Sequence, residues 1–170
     1  MSIRTVPLAR LFEAFNCDPE TGEFTWRTKP NPHTVVGSRA GTNCRGYRIL
    51  MLDKVPLSAH RAVWAFVHGS WPDAQIDHIN GDGMDNRIAN LRLAKGMGKQ
   101  QGNRRLNRNN TSGFRGVIWD KRRGMWAAVL KRGSDKSPAH LGYFKEKTDA
   151  AKAYEAEARR YFGEFYAVRP

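Results

Sequence analysis

Cysteine is nearly missing from this sequence: Cys17 and Cys44 are the whole complement, and they form no CxxC pair. That excludes a disulfide framework, argues against a structural zinc site and makes a reducing, cytoplasmic setting the expectation. No apolar run approaches the roughly 18 residues a membrane span needs, and no signal-peptide core is visible, so no membrane partner is expected. Acidic residues are scarce where basic ones crowd. Residues 96–145 hold 12 Lys and Arg against two carboxylates, Asp120 and Asp135.

That imbalance accounts for most of the formal net charge of +13. Residues 1–95 carry 12 basic and 9 acidic side chains, whereas residues 96–170 carry 17 and 7. Phe114, Trp119, Trp126 and Tyr143 are interleaved with the basic residues. A local basic excess on an aromatic-rich segment describes a folded polyanion-binding surface, which points to nucleic acid. A hydrophobic fraction of 40% over 170 residues excludes a wholly disordered chain and suits one ordinary domain or two small ones.

The pattern predicts an α+β chain. Leu8, Leu11, Phe12 and Phe15 share one face of a helix over 7–16, and the stretch from Met1 to Arg4 leads into it. Residues 23–27 and 46–52 alternate as strands. Ser58 is placed to cap a helix over 59–68 that stops at Gly69. Short strands follow at 75–79 and 91–93 around a polar loop. Gly96, Gly98 and Gly102 predict an irregular connector. Strands over 114–120, 126–131 and 139–144 then precede a helix over 149–162, capped by Thr148 and ended by Gly163. Its face of Ala151, Tyr154, Ala158 and Tyr161 or Phe162 covers one side of a three-stranded antiparallel sheet.

Chemistry concentrates at Ile76-Asp77-His78-Ile79-Asn80-Gly81-Asp82. An Asp and a His adjacent at a strand end supply a ligand for a hard cation and a base that titrates near neutral pH, the pair that phosphodiester hydrolysis needs. A calcium loop is excluded, because Ile88 sits where its bidentate Glu belongs. Together with Asp85-Asn86-Arg87-Ile88-Ala89-Asn90-Leu91-Arg92 and Ala59-His60-Arg61, this stretch resembles the HNH endonucleases of phages and homing elements. The resemblance implies a ββα-metal nuclease domain, a divalent ion such as Mg²⁺ or Mn²⁺, double-stranded DNA as substrate and a phage or bacterial host cytosol. It assigns Asp77 to the metal, His78 to the general base, Asn90 to tying the loop and orienting His78, and His60 to a place beside the site. Nine residues after Asn90 the family has a His or Asn that completes metal binding, and here stands Lys99, whose ammonium cannot ligate a cation. Gln100 is the substitute the reading favours, with Gln101 and Asn103 as alternatives. With none of them, the chain is a DNA-binding protein with a decayed nuclease site.

Residues 110–168 resemble a second family, the plant ethylene-response-factor (APETALA-type) DNA-binding domain. The matching residues are Asn110-Thr111-Ser112-Gly113-Phe114-Arg115-Gly116-Val117, Trp126-Ala127-Ala128, Leu141-Gly142-Tyr143-Phe144 and Thr148-Asp149-Ala150-Ala151-Lys152-Ala153-Tyr154. The resemblance implies that the open sheet face enters the DNA major groove. Arg115, Trp119, Trp126 and Lys131 are expected on that face, with Trp126 packed on the helix as the competing reading. Arg122, Arg123 and Arg132 on the turns, and Arg104, Arg105 and Arg108 on the connector, are expected to hold phosphates. The expected layout is a nuclease domain over 1–95, a connector over 96–109 and a DNA-reading domain over 110–170. The sequence leaves monomer or dimer open.

Overall fold

The computed structural model describes residues 6–96, 98–104, 106–133 and 135–167, with Lys99 and Gln100 described in backbone only. The first residues of the N-terminal reading, Met1 to Arg4, lie outside the described residues, as does Arg105. The fold is mixed α and β, with three α-helices and four small sheets among the described residues. It divides into two compact units, residues 1–93 and 94–170.

In the first unit, α1 (Leu8–Ala14) runs directly into β1 (Phe15–Asp18), which pairs antiparallel with β2 (Glu23–Trp26). The helix expected to reach residue 16 stops two residues earlier, because the Phe15 to Asp18 backbone is committed to partners from Trp26 to Glu23. A second antiparallel sheet has the order β3 (Thr42–Cys44), β4 (Tyr47–Leu52), β5 (Val55–Ser58). Its last hairpin turns through Asp53 and Lys54, both at positive φ, as a two-residue hairpin demands. The Asp53 carboxylate accepts two bonds from the Arg10 guanidinium at 2.9 and 3.0 Å, which ties this turn to α1.

α2 (Ala59–His68) has the bounds the sequence predicts and ends at Gly69 in a left-handed conformation; Ser58 sits at its N-cap without a side-chain bond. Ala59, Ala62, Val63 and Ala65 face a core built on Leu11, Phe15, Phe24, Leu50 and Leu52, each essentially inaccessible to water. After α2, Arg61 donates to the carbonyls of Pro72 and Ala74 at 3.0 and 3.3 Å. These bonds fix the approach to β6 (Gln75–His78), which neighbours β7 (Leu91–Ala94) in a two-stranded sheet. Among the described residues, no α-helix of the kind the ββα resemblance implies follows β7 directly. Gly96 and Gly98 adopt positive φ, and Lys99–Asn103 make only a 3₁₀ turn.

In the second unit, β8 (Val117–Asp120), β9 (Met125–Leu130) and β10 (Ala139–Phe144) form an antiparallel sheet in the order β10-β9-β8, followed by α3 (Lys147–Phe162). The helix starts after Glu146, two residues ahead of the expected Thr148 cap. Its buried face is Ala150, Tyr154, Ala158 and Phe162, so Ala150 takes the place expected of Ala151. They pack on Val117, Ala128 and Leu130, with Trp126, Leu141 and Phe144 at the margin.

The stretch read as a connector belongs to this unit. Gly102 accepts a backbone bond from Ala167, and Asn103 is buried. Arg115, expected on the DNA-facing side, is a bracket inside the unit. Its guanidinium donates to the carbonyls of Gln101, Gly102 and Ala167 at 2.9, 2.9 and 3.2 Å. Hydrogen bonds from a charged donor contribute about 1.5–3 kcal/mol net, and removing this donor leaves three partly buried carbonyls to find other partners. Arg115→Gln is therefore expected to lower the stability of the second unit by roughly 2 kcal/mol or more. Urea unfolding followed by tryptophan fluorescence checks this, and an unchanged midpoint would show that the bracket carries no load.

Candidate functional site

The polar loop between β6 and β7 is closed on itself by asparagines. Asn90 Oδ1 accepts from the Asn80 amide at 2.9 Å, while Asn90 Nδ2 donates to Asn80 Oδ1 at 2.9 Å and to the Asp85 carbonyl at 2.8 Å. The Ile79 amide donates to the Asn90 carbonyl at 2.8 Å. Asp85 receives Asn80 Nδ2 and the Arg87 guanidinium, and hydrogen bonds from Arg87 hold its carboxyl down at a pKa of about 2. The loop also leans on the β1–β2 turn: the Ile88 amide donates to the Pro19 carbonyl at 2.9 Å. Gly22, at φ +71°, approaches so closely that a Cβ there would lie 2.3 Å from the Asn86 carbonyl carbon.

Asp77 and His78, at the end of β6, are both buried. Asn90 ties the loop as expected, but the residue that holds the His78 ring is Asn86. Asn86 Oδ1 lies 3.1 Å from His78 Nε2, and Asn86 Nδ2 donates to the Met84 carbonyl. That second bond turns the Asn86 oxygen towards Nε2, an arrangement suited to a ring that donates from Nε2. Asn86 is almost wholly buried. In the sequence it is one polar residue among many in a loop, and no local signal sets it apart.

His60, on the first turn of α2, packs edge-on against His78 with ring centroids 5.1 Å apart. The half-exposed Tyr47 ring lies 6.0 Å from both imidazoles. Burial, reinforced by His78 and Arg61, pushes the His60 pKa down to about 4, so this imidazole is neutral at physiological pH. Its Nδ1 is buried and finds no hydrogen-bond partner among the described residues.

The Asp77 carboxylate has a partner the sequence reading missed. Arg92, on the neighbouring strand, places Nε and Nη2 at 2.9 and 2.7 Å from Asp77 Oδ2. Among the described residues no three His, Cys, Asp or Glu gather as a metal cage. One carboxylate in an oxygen-rich loop nonetheless fits Mg²⁺ or Mn²⁺, since Mg²⁺ usually binds through one or two carboxylates, waters and substrate phosphates. The side chains of Lys99 and Gln100, on which the expected third ligand rests, lie outside the described residues. Gln101 and Asn103 belong to the 3₁₀ turn of the second unit.

The strand register sorts the expected DNA contacts. Trp119 pairs with Trp126 and Val117 with Ala128, so both tryptophans share the helix-facing side, their rings 5.0 Å apart. Trp126 packs on the core, and neither ring lies on the open face where it was expected. The open face carries Ile118, Ala127, Val129, His140 and Tyr143. Arg132 is not an outward phosphate contact either: it pairs with Glu157 and lies 5.7 Å from the Tyr161 ring centre. Arg104, Arg108, Arg122, Arg123 and Lys131 are exposed. Arg123 also bonds Asp120 at 3.0 Å and covers the Tyr143 ring at 4.5 Å.

The segment that builds this loop has a family. Residues 58–96 match the family model described as HNH endonuclease, so the chain carries an HNH endonuclease family domain. The match begins at the end of β5, so the domain is not at the N-terminus, and the 1–95 span expected for it is wider than the match. Such nucleases generally depend on a divalent metal. A curated relative, protein 3.8 of Escherichia phage T7, is 39% identical over 73 residues, which cover 42% of this chain and 59% of that protein. The chain thus spans about six tenths of that relative's length. No solved structure gives a significant match. Among the described residues no helix is long and apolar enough to cross a membrane.

Two outcomes follow from this geometry. Gly22→Ala meets both a positive φ and backbone, and is expected to cost roughly 2 kcal/mol or more in stability and to loosen the loop. Thermal melting, with amide exchange across 79–90, measures both, and unaltered exchange there would detach the turn from the site. His60 titrates near 6.5 when unfolded and about 4 when folded. Its stabilising contribution is whole above pH 6.5 and is lost as pH falls towards 4, because the unfolded chain then binds the extra proton. The melting temperature should drop across that window, and His60→Gln should flatten the drop.

Proposed function

We propose that this protein is a metal-dependent endonuclease that hydrolyses phosphodiester bonds in double-stranded DNA, of the kind mobile elements use for homing. The observation that carries the reading is the Asp77–His78 pair, buried at the end of β6 with the His78 imidazole held by Asn86, inside the segment that matches the HNH family.

Asp77, with a substrate phosphate, would hold the divalent ion, with Gln100 as the proposed third ligand. When bound, the ion supplies charge neutralisation at the scissile phosphate and the leaving oxygen. His78 takes the proton from the attacking water at Nδ1. Asn86 keeps that tautomer by accepting the Nε2 hydrogen, and the neutral His60 packs against the ring and limits its rotation. Asn90 fixes the loop so that Asp77 and His78 stay on adjacent residues of one rigid strand end.

The second unit reads the DNA, as its resemblance to the ethylene-response-factor domain implies. Support comes from the three-stranded sheet backed by one helix, with its other face left open. Ile118, His140 and Tyr143 provide the groove face, an apolar contact for thymine methyls beside polar edges. Arg122, Arg123, Lys131, Arg104 and Arg108 hold phosphates, and Arg105 is assigned with them from sequence. The proposed division of labour puts the catalytic Asp77 and His78 in the first unit and DNA reading in the second.

The test is nicking of supercoiled plasmid by the full chain with Mg²⁺ or Mn²⁺. Wild type should cut, EDTA should abolish cutting, and His78→Ala should reduce it by about 10²-fold or more, the range a general base contributes. Lys99 at the family's third-ligand position favours a second reading, a DNA-binding protein with a decayed site. Retained duplex binding without cutting at any metal concentration selects it.

A further inference from the structure

We infer that Arg92 gates the metal site: it occupies the Asp77 carboxylate in the DNA-free protein, so that the divalent ion is held firmly only once a DNA phosphate is present. This rests on the proposal that Asp77 holds the ion.

The geometry is specific. Two guanidinium nitrogens of Arg92 converge on the same oxygen, Oδ2, at 2.9 and 2.7 Å, rather than each taking one oxygen of the carboxylate. The side chains are only 18% and 9% exposed, so water screens the pair weakly. The two residues sit on neighbouring strands of one small sheet, which leaves neither backbone room to carry its charge away. A dication arriving at Asp77 meets a carboxylate already neutralised and a fixed positive charge next to it.

Something must therefore draw that charge off the carboxylate before a cation can take its place. An anion can do so. A DNA phosphate set against the loop restores negative charge at the point where Arg92 has removed it, and it also offers the guanidinium an alternative partner. Metal and DNA then bind with positive coupling. Because coupling between two ligands is reciprocal, each should tighten the other by the same factor.

The same linkage gives the test. Mn²⁺ binding to the DNA-free full chain is measured by titration calorimetry or electron paramagnetic resonance for wild type, Arg92→Gln, Arg92→Lys and Asp77→Asn. Binding of a short phosphorothioate duplex, which resists cleavage, is measured by fluorescence anisotropy with and without Mn²⁺. Arg92→Gln should bind Mn²⁺ at least about tenfold tighter than wild type without DNA, a change of about 1.4 kcal/mol. Arg92→Lys keeps the charge and should stay near wild type. Mn²⁺ should tighten wild-type duplex binding about tenfold, with much of that gain absent in Arg92→Gln. A purely structural role predicts the opposite sign, weaker Mn²⁺ binding when Arg92 is lost.

Unchanged or weakened Mn²⁺ binding in Arg92→Gln overturns the inference. So does wild-type duplex binding that Mn²⁺ leaves unaltered, an outcome that needs no folded variant. If Asp77→Asn binds Mn²⁺ as wild type does, the assignment of the metal to Asp77 fails instead, which keeps the two failures apart.

Discussion

The reciprocal contact between the side chains of Asn80 and Asn90 is the interaction on which the site depends. A carboxamide offers a donor and an acceptor at once, and Asn90 uses both, closing the loop onto its own entrance ten positions back. A carboxylate in its place would have no donor for Asn80 Oδ1 or for the Asp85 carbonyl. With the loop closed, the end of β6 is a fixed edge, and Asp77 and His78 project from it with little freedom. The entropy of ordering a polar segment is offset by bonds within the loop, by the β1–β2 turn against it and by Ile88 packed on the apolar core.

What could be read from the sequence follows the range of the signal. α2 was legible because apolar spacing and Gly69 define it within ten residues, and β10 because its flanks are rich in turn residues. Asp77, His78 and Asn90 sit in one short motif, and the structure brings them together at one loop. β3 was not: all three of its residues are exposed, and it exists only because β4 offers it a partner. β5 contains Pro56, which argues against a strand until it is seen at a sheet edge. Asn86 and Arg92 act through contacts that composition does not announce. Trp119 and Trp126 failed for a different reason. The side-chain period of a strand is two, so an error of one residue in register inverts every face assignment.

The charge of the second unit also reads differently once its contacts are known. Arg115 is spent on carbonyls, Arg132 and Arg160 on Glu157, and Arg159 on Glu155. These residues raise the formal charge but serve the fold. The outward set is smaller, so if the second unit binds DNA as proposed, the salt dependence should be shallower than a net charge of this size suggests.

The close approach of Gly22 and Pro19 to the loop bears on how the segment matching the HNH family can be moved between proteins. Asp77, His78, Asn86 and Asn90 all fall within the 39-residue family segment, yet part of the surface that braces their loop comes from the β1–β2 hairpin, far earlier in the chain. A graft of the segment alone would transfer the reactive groups without their brace. The portable unit is the segment together with that hairpin, and a host scaffold would have to present an equivalent turn, with a glycine where the two backbones meet.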